Sequence, residues 1–276
     1  MMKFTAKEHY TVSDLVEIME ILRSEEGCPW DREQTHESIR KNFIEETYEV
    51  LEAIDEKNPA HLREELGDVL LQVVFHAQIE QEKGSFDFDG VADEVCKKLI
   101  VRHPHVFGSI QVADSREVLK NWDQIKKETK RQETYTQTLQ SVPKLLPALM
   151  RAQKIQQRAA RAGMDYPDLA FALSDLESEI AELREAVESV GRDEACGEVG
   201  DVLFAAVNVC RHLSADAEEL LAGSSQRFVE RFDLVEQLAV ARGLDMAKTD
   251  FDTLNVLWAE AKKKLKNKNE SERTEK

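Results

Sequence analysis

An all-α fold is predicted for this chain of 276 residues, and three observations predict it. Apolar residues recur at three- and four-residue spacing along nearly the whole chain, and no stretch sustains the period-two alternation of a half-buried strand. Only 11 glycines and 6 prolines interrupt it, while Leu, Ala, Glu and Lys, all good helix formers, dominate. The third observation is an internal repeat. Glu46, Glu49, Glu65 and Asp68 recur as Glu179, Glu182, Glu198 and Asp201, each displaced by the same interval (179 − 46 = 133, and likewise for the other three). Such a register divides the chain into two tandem helical domains, each long enough to bury a core.

The first copy reads as helices over 11–26, 35–56, 60–83, 88–102 and 115–130. Gly27-Cys28-Pro29-Trp30-Asp31 is expected to form a rigid loop between the first two. Asn58-Pro59 separates the second helix from the third, because asparagine caps a helix and proline fits its first position, so these two form a short-linked antiparallel hairpin. A polar stretch over 128–141, followed by Pro143 and Pro147, marks the linker. The second copy reads as helices over 145–162, 174–190, 193–213, 215–242 and 251–266, with Ser174-Asp175-Leu176-Glu177 as a capping box. The domains are therefore placed at 1–135 and 136–268, with a charged, fraying tail over 269–276.

Charged residues make up 33% of the chain and the formal net charge is −17. An acidic surface excludes general affinity for nucleic-acid polymers, which takes clustered cations. No segment has the length of a signal peptide's apolar core or of a membrane span, so a cytoplasmic location without membrane partners is expected. Cys28, Cys96, Cys196 and Cys210 form no CxxC pair and read as ordinary thiols in or near the core. His103-Pro104-His105 lies near Cys96, but the intervening proline and the lack of a further ligand pair argue against zinc.

The repeated acids carry the chemistry. In helices, Glu46/Glu49 and Glu65/Asp68 are i,i+3 pairs on one face, and two such helices side by side aim four carboxylates at one point. Glu46 falls at the margin of the apolar stripe, beside Ile39, Phe43 and Val50. Behind Asp68 and Asp201 the helices turn apolar nearly all round, which predicts burial. Converging buried carboxylates repel one another and need cations, for which hard, oxygen-binding Mg²⁺ is the usual partner, with Mn²⁺ as an alternative. Gly67 and Gly200 recur beside the acids although a mid-helix glycine costs about 0.5–1 kcal/mol relative to alanine. Close helix contact is the expected compensation.

The two copies of ExxE followed by ExxD, with Cys28-Pro29-Trp30-Asp31 and Gln34-Thr35-His36 ahead of the first, resemble the MazG family of nucleoside triphosphate pyrophosphohydrolases in its tandem two-domain form. The resemblance covers all but the tail. It implies an all-α fold, Mg²⁺-dependent hydrolysis of NTPs or dNTPs to the monophosphate and pyrophosphate, and a homodimer with helices exchanged around the active sites. Carried over by position, the metal ligands are Glu46, Glu49, Glu65 and Asp68 in the first domain and Glu179, Glu182, Glu198 and Asp201 in the second. The family's additional glutamate before each pair is present as Glu45 and Glu64 but replaced by Ser178 and Gly197 in the second domain. In the best-studied tandem members the C-terminal domain carries catalysis, so which domain works here stays open.

Cations and aromatics complete each repeat. Lys98 and Arg102 are an i,i+4 pair, as are Arg227 and Arg231, and Trp122/Lys126 echo Trp258/Lys262. The resemblance places Arg227, Arg231, Trp258 and Lys262 where functional residues lie, although lysine is commoner at Arg227. The cations would grip phosphate oxygens, and the tryptophans would stack on a base or pack the core. Glu45 is the candidate for orienting or deprotonating the attacking water in the first domain; the second would need Glu177 or the metal alone. Three other readings stay in play: a helical nucleotide-binding or regulatory module, a structural acidic protein, and a dUTP-pyrophosphatase-like enzyme.

Overall fold

The structure is a computed structural model that describes residues 4–112, 114, 118, 125, 134–189 and 191–274, with side chains to Asn267. It divides into two compact units, Met1–Glu128 and Thr129–Lys276. Among the described residues every regular element is helical, and no helix is long and apolar enough to cross a membrane.

In the first unit α1 spans Val12–Arg23, α2 Pro29–Glu33, α3 Arg40–Asp55, α4 Pro59–Glu82, α5 Phe88–Arg102 and α6 Pro104–Phe107. Thr11 and Asp14 form a capping box at the start of α1. Asn58 caps α4 by accepting from the amides of Ala60 and His61, with Pro59 in the first turn; a cap of this kind contributes about 1 kcal/mol. The short break folds α4 back on α3, the closest helix pair of the unit. Met19, Ile39, Val74, Phe75 and Ile79 form the core, ringed by Leu15, Val16, Leu70, Leu71 and Phe88. Each large side chain buried there contributes about 1.5–3 kcal/mol over the exposed state.

The expected rigid loop is partly helix: Pro29–Glu33 winds one turn. Arg23 holds it, donating to the carbonyls of Asp31 and Gln34 while its Nε and Nη2 bond both oxygens of Glu82 at 2.7 and 2.8 Å. Downstream, His36 stacks on His76 with rings 5.0 Å apart and bonds Glu80 through Nε2 at 2.7 Å.

In the second unit α7 spans Tyr135–Gln140, α8 Ala148–Arg161, α9 Leu169–Ser189, α10 Arg192–His212, α11 Ala217–Ala241 and α12 Phe251–Thr274, with a 3₁₀ turn at Met246–Lys248. The α9–α10 hairpin is its closest pair. Two buried glutamines on α8 lock the neighbours: Gln153 donates to Ala215 O and accepts from Ala217 N, and Gln156 donates to Phe204 O at 2.7 Å. Val235, Ala239, Leu257 and Ala261 form the core between α11 and α12.

Five expectations are corrected. Helix α9 begins at Leu169, capped by Asp168, which accepts from Ala170 N and Phe171 N; Ser174-Asp175-Leu176-Glu177 lies inside the helix. Part of the linker is the helix α7, capped by Thr134, and the tail continues α12 as far as Thr274. Cys96 and Cys196 are exposed rather than in the core. Finally, a Cβ built on Gly67 or Gly200 would meet nothing within 4 Å, and Leu66, Val199, Leu203 and Phe204 are exposed. Within one chain, the apolar surfaces beside the acids are therefore open, not packed.

Candidate active site

The α3–α4 hairpin sets the first acidic group. Glu46 and Glu49 lie one turn apart on α3 and Glu65 projects from α4 toward them, so that carboxylate oxygens of the three lie within 4.8 Å of one another. Glu65 is only 8% exposed, and its Oε2 has no hydrogen-bond partner. His61, one turn earlier and bonded to Glu56 at 2.9 Å, stands 3.2 Å from the other oxygen. An unpartnered buried carboxylate oxygen is costly, and both affected groups register it. Burial raises the pKa of Glu46, followed by repulsion from Asp68 and Glu49. Burial also raises that of Glu65, followed by Glu49, against the pull of His61. Asp68 thus faces Glu46 while standing outside the tight trio.

The second unit repeats the arrangement. Glu179 and Glu182 on α9 and Glu198 on α10 have carboxylate oxygens within 4.8 Å of one another. Glu179 is pushed up by burial first, then by Glu182, Asp175, Asp201 and Glu198. Ser178, where the resemblance would place a further glutamate, donates from its hydroxyl to Glu182 at 3.3 Å and so orients a cluster carboxylate. Asp201, whose charge acts on Glu179, is exposed, and so are Glu45 in the first unit and Glu177 in the second. Both donor sets consist wholly of carboxylate oxygens, the type that suits a hard divalent cation.

Cations and aromatics group elsewhere. The Arg231 guanidinium lies 4.8 Å over the Trp258 ring, whose other neighbour is Phe228 at 5.0 Å, tilted by 46°. Trp258 also packs on the α11–α12 core, so within one chain it serves as a packing residue. Arg227 donates to Ser224 at 2.6 Å, and Lys262 is exposed one turn beyond Trp258. Among the described residues no hydrogen bond or ion pair joins Arg227, Arg231 or Lys262 to the acids of α9 and α10. Lys98 is exposed on α5 and Arg102 half-buried. Trp122 and Lys126 lie outside the described residues, as does the helix expected over 115–130 apart from Val118 and Ile125.

One group near the second cluster has no forewarning in the sequence. The Tyr166 hydroxyl donates to Asp175, which raises its pKa to about 12, with burial and the nearby charge of Glu179 adding to the effect. Tyr166 sits in the α8–α9 connection, after Gly163 with φ +93°, a backbone conformation that glycine alone adopts without strain. The pairing depends on where that turn sends the chain, which local pattern does not encode.

The model of the MazG nucleotide pyrophosphohydrolase domain matches residues 34–107. A nucleoside triphosphate pyrophosphohydrolase of Escherichia coli (strain K12) is 44% identical over 257 residues, covering 91% of this chain and 97% of the relative. A protein of Thermotoga maritima, nucleoside triphosphate pyrophosphohydrolase/pyrophosphatase MazG, is 44% identical over 249 residues, covering 90% and 94%. The uncharacterized protein YabN of Bacillus subtilis is 41% identical over 255 residues, covering 92% of this chain and 52% of its own length.

Proposed function

This chain belongs to the MazG family of nucleotide pyrophosphohydrolases, and on that premise we propose that it hydrolyses nucleoside triphosphates to the monophosphate and pyrophosphate at its carboxylate clusters, with Mg²⁺ as cofactor. The observation that carries the reading is the trio of converging carboxylate oxygens, formed twice on equivalent hairpins. The orphaned Oε2 of Glu65 and the upward-shifted Glu46 and Glu179 support a cation there, because each is a cost that a divalent ion offsets. In the first unit Glu46, Glu49, Glu65 and Asp68 would hold it, and in the second Glu179, Glu182, Glu198 and Asp201.

When bound, the cation supplies charge neutralisation and a lowered pKa for water. The chain's own part is positional. Glu45, exposed and next to Glu46 in the chain, would orient the attacking water in the first domain. Ser178 instead fixes Glu182 in the second. Water attacks a phosphorus of the triphosphate, and the phosphoanhydride bond breaks with pyrophosphate as leaving group. Its charge falls to the cations: Lys98, Arg102 and Lys126 in the first domain, Arg227, Arg231 and Lys262 in the second. Trp122 and Trp258 are the aromatics assigned to substrate binding. The domain assignment 1–135 and 136–268 is retained as part of this proposal.

A homodimer reconciles the separation of acids and cations. Ile44, Tyr48 and Leu51 form an exposed i, i+4, i+7 stripe on α3, and Leu220, Phe228 and Phe232 are exposed on α11. A second copy that covers these faces brings exchanged helices to the active sites. Sedimentation equilibrium of the intact chain is expected to give twice the monomer mass at micromolar concentration; a monomer throughout removes the partner from this scheme.

The chemical test is a product profile. With Mg²⁺, a panel of NTPs and dNTPs is expected to yield monophosphate and pyrophosphate in equal amounts. Orthophosphate with a diphosphate would sink the reaction assignment. Tight nucleotide binding without turnover would replace the enzyme by a regulatory module.

A further inference from the structure

We propose that the cavity beside the second carboxylate cluster is the nucleobase subsite, read by the side-chain amides of Gln156 and Asn208; the inference rests on taking that cluster as the place where the triphosphate is held. The cavity has a volume of about 360 Å³, and Met164, Tyr166, Phe204, Gln156 and Asn208 are among the residues lining it. That is within the size of small-molecule sites, about 300–1,000 Å³.

Its place follows from the helices. Asp201, Phe204 and Asn208 are i, i+3 and i+7 on α10 and share one face, with Asn208 about 10 Å beyond Asp201. A ribose with its 5′-phosphate spans such an interval. On the facing side Tyr166 bonds Asp175, one turn before Glu179 on α9, so the cavity wall is tied to the cluster. Phe204, Tyr166 and Met164 offer the flat and polarizable surfaces on which a base is stacked.

The two amides are fixed in orientation. Gln156 is 7% exposed; its Nε2 donates to Phe204 O, and its Oε1 has no hydrogen-bond partner. Turning the amide over would set that oxygen against a carbonyl, so Oε1 stays an acceptor in want of a donor. Asn208 Oδ1 accepts from Arg211 Nε at 3.0 Å and Nη2 at 2.6 Å, and Arg211 is itself clamped on Asp165. The Asn208 amide nitrogen is thereby left as the donor. A fixed acceptor on α8 and a fixed donor on α10, lining one cavity, suit the Watson–Crick edge of a base, which offers one of each. The first unit lacks this device. The residue 133 positions before Asn208 is Phe75 (208 − 133 = 75), buried in the core with the Arg23 guanidinium 5.3 Å over its ring.

The test uses the intact chain. Calorimetric titration with the four ribonucleoside monophosphates, without metal, is expected to show binding with a base preference. Gln156→Leu removes the acceptor and Asn208→Asp converts the donor to an acceptor while keeping the bond to Arg211. Each is expected to weaken the preferred monophosphate about tenfold or more, and Asn208→Asp to reorder the four bases, both there and in kcat/KM for the triphosphates. Inorganic pyrophosphate should bind all three proteins alike. Asn208→Asp carries the test if Gln156→Leu does not fold. Unchanged affinity and base order in the folded variants, or no monophosphate binding to the intact chain at millimolar concentration, overturns the subsite. Absence of pyrophosphate release from every triphosphate would instead sink the hydrolase reading, with the monophosphate titration still deciding the cavity.

Discussion

Glu179→Ala is expected to lower pyrophosphate release about a hundredfold or more and, in the same protein, to raise the melting temperature measured without divalent cations. Both effects come from one crowding. Glu179 lies half-buried with Glu182, Asp175, Asp201 and Glu198 around it, and its pKa is raised by burial and by their charge. Removing it relieves repulsion in the cation-free chain, while taking one ligand from a metal site costs activity on the scale of a hundredfold. The larger effect is expected in the second unit, which carries the cavity proposed for the base. Glu46→Ala measures the share of the first cluster, and undiminished rates in both variants would discard the scheme.

The sign of the pH dependence follows from the same shift. A carboxyl with a raised folded pKa holds its proton more tightly in the folded chain than in the unfolded one. Its contribution to stability is complete below the usual carboxylate value of 4.5 and is lost as pH rises through the raised value. Magnesium offsets that loss by binding the ionised cluster of the folded state alone. The rise in melting temperature on adding Mg²⁺ should therefore be larger at pH 8 than at pH 5, and smaller in Glu179→Ala than in the parent. A Mg²⁺ increment of zero at pH 8 would return the acids to plain surface charge.

What the sequence disclosed and what it hid divide along a physical line. Helices α4, α5 and α10 were legible to within a residue because apolar period and cap residues are local, and Asn58-Pro59 states its own turn, whereas α3, expected from 35, begins only at Arg40. The convergence of Glu46, Glu49 and Glu65 was legible because helical spacing fixes which side chains share a face. The start of α9 was not: Ser174-Asp175-Leu176-Glu177 has the composition of a capping box, but Asp168 caps first and the helix runs through it. The residues behind Asp201 were expected to be buried, yet Leu203 and Phe204 are exposed, since apolar composition says a face needs covering without saying by which chain. The Gln156 amide and the Tyr166–Asp175 pair join separate elements, and no local pattern announces a contact made across the fold.

Arg23 is the strongest case of such a hidden contact, and Arg23→Met is expected to destabilise the first unit by about 2–4 kcal/mol. At the end of α1 an arginine reads as an ordinary partner for the helix dipole. Instead it is 8% exposed, grips both oxygens of Glu82, and donates to the carbonyls of Asp31 and Gln34. Methionine keeps the apolar stem over Phe75 but leaves a carboxylate and two carbonyls without their donor. Glu82 is partly solvated, which moderates the cost relative to a wholly buried pair. For a unit of this size the loss corresponds to a fall in melting temperature of about 10 °C, whereas Lys97→Ala, which removes an exposed partner of Asp93, should leave it unchanged. The pH signature is opposite to that of Glu179. Hydrogen bonds from Arg23 are the main cause that lowers the pKa of Glu82, so the pair stabilises fully above the usual carboxylate value and weakens as pH falls through the depressed one. The gap between parent and Arg23→Met should accordingly narrow at pH 3. Amide exchange should accelerate first over 28–36, the turn whose carbonyls Arg23 holds, and then at the His36–His76 contact, which reaches α4 two turns beyond Asp68. A variant that melts with the parent and keeps slow exchange in that turn would show that the loop carries its own structure and that Arg23 only decorates it.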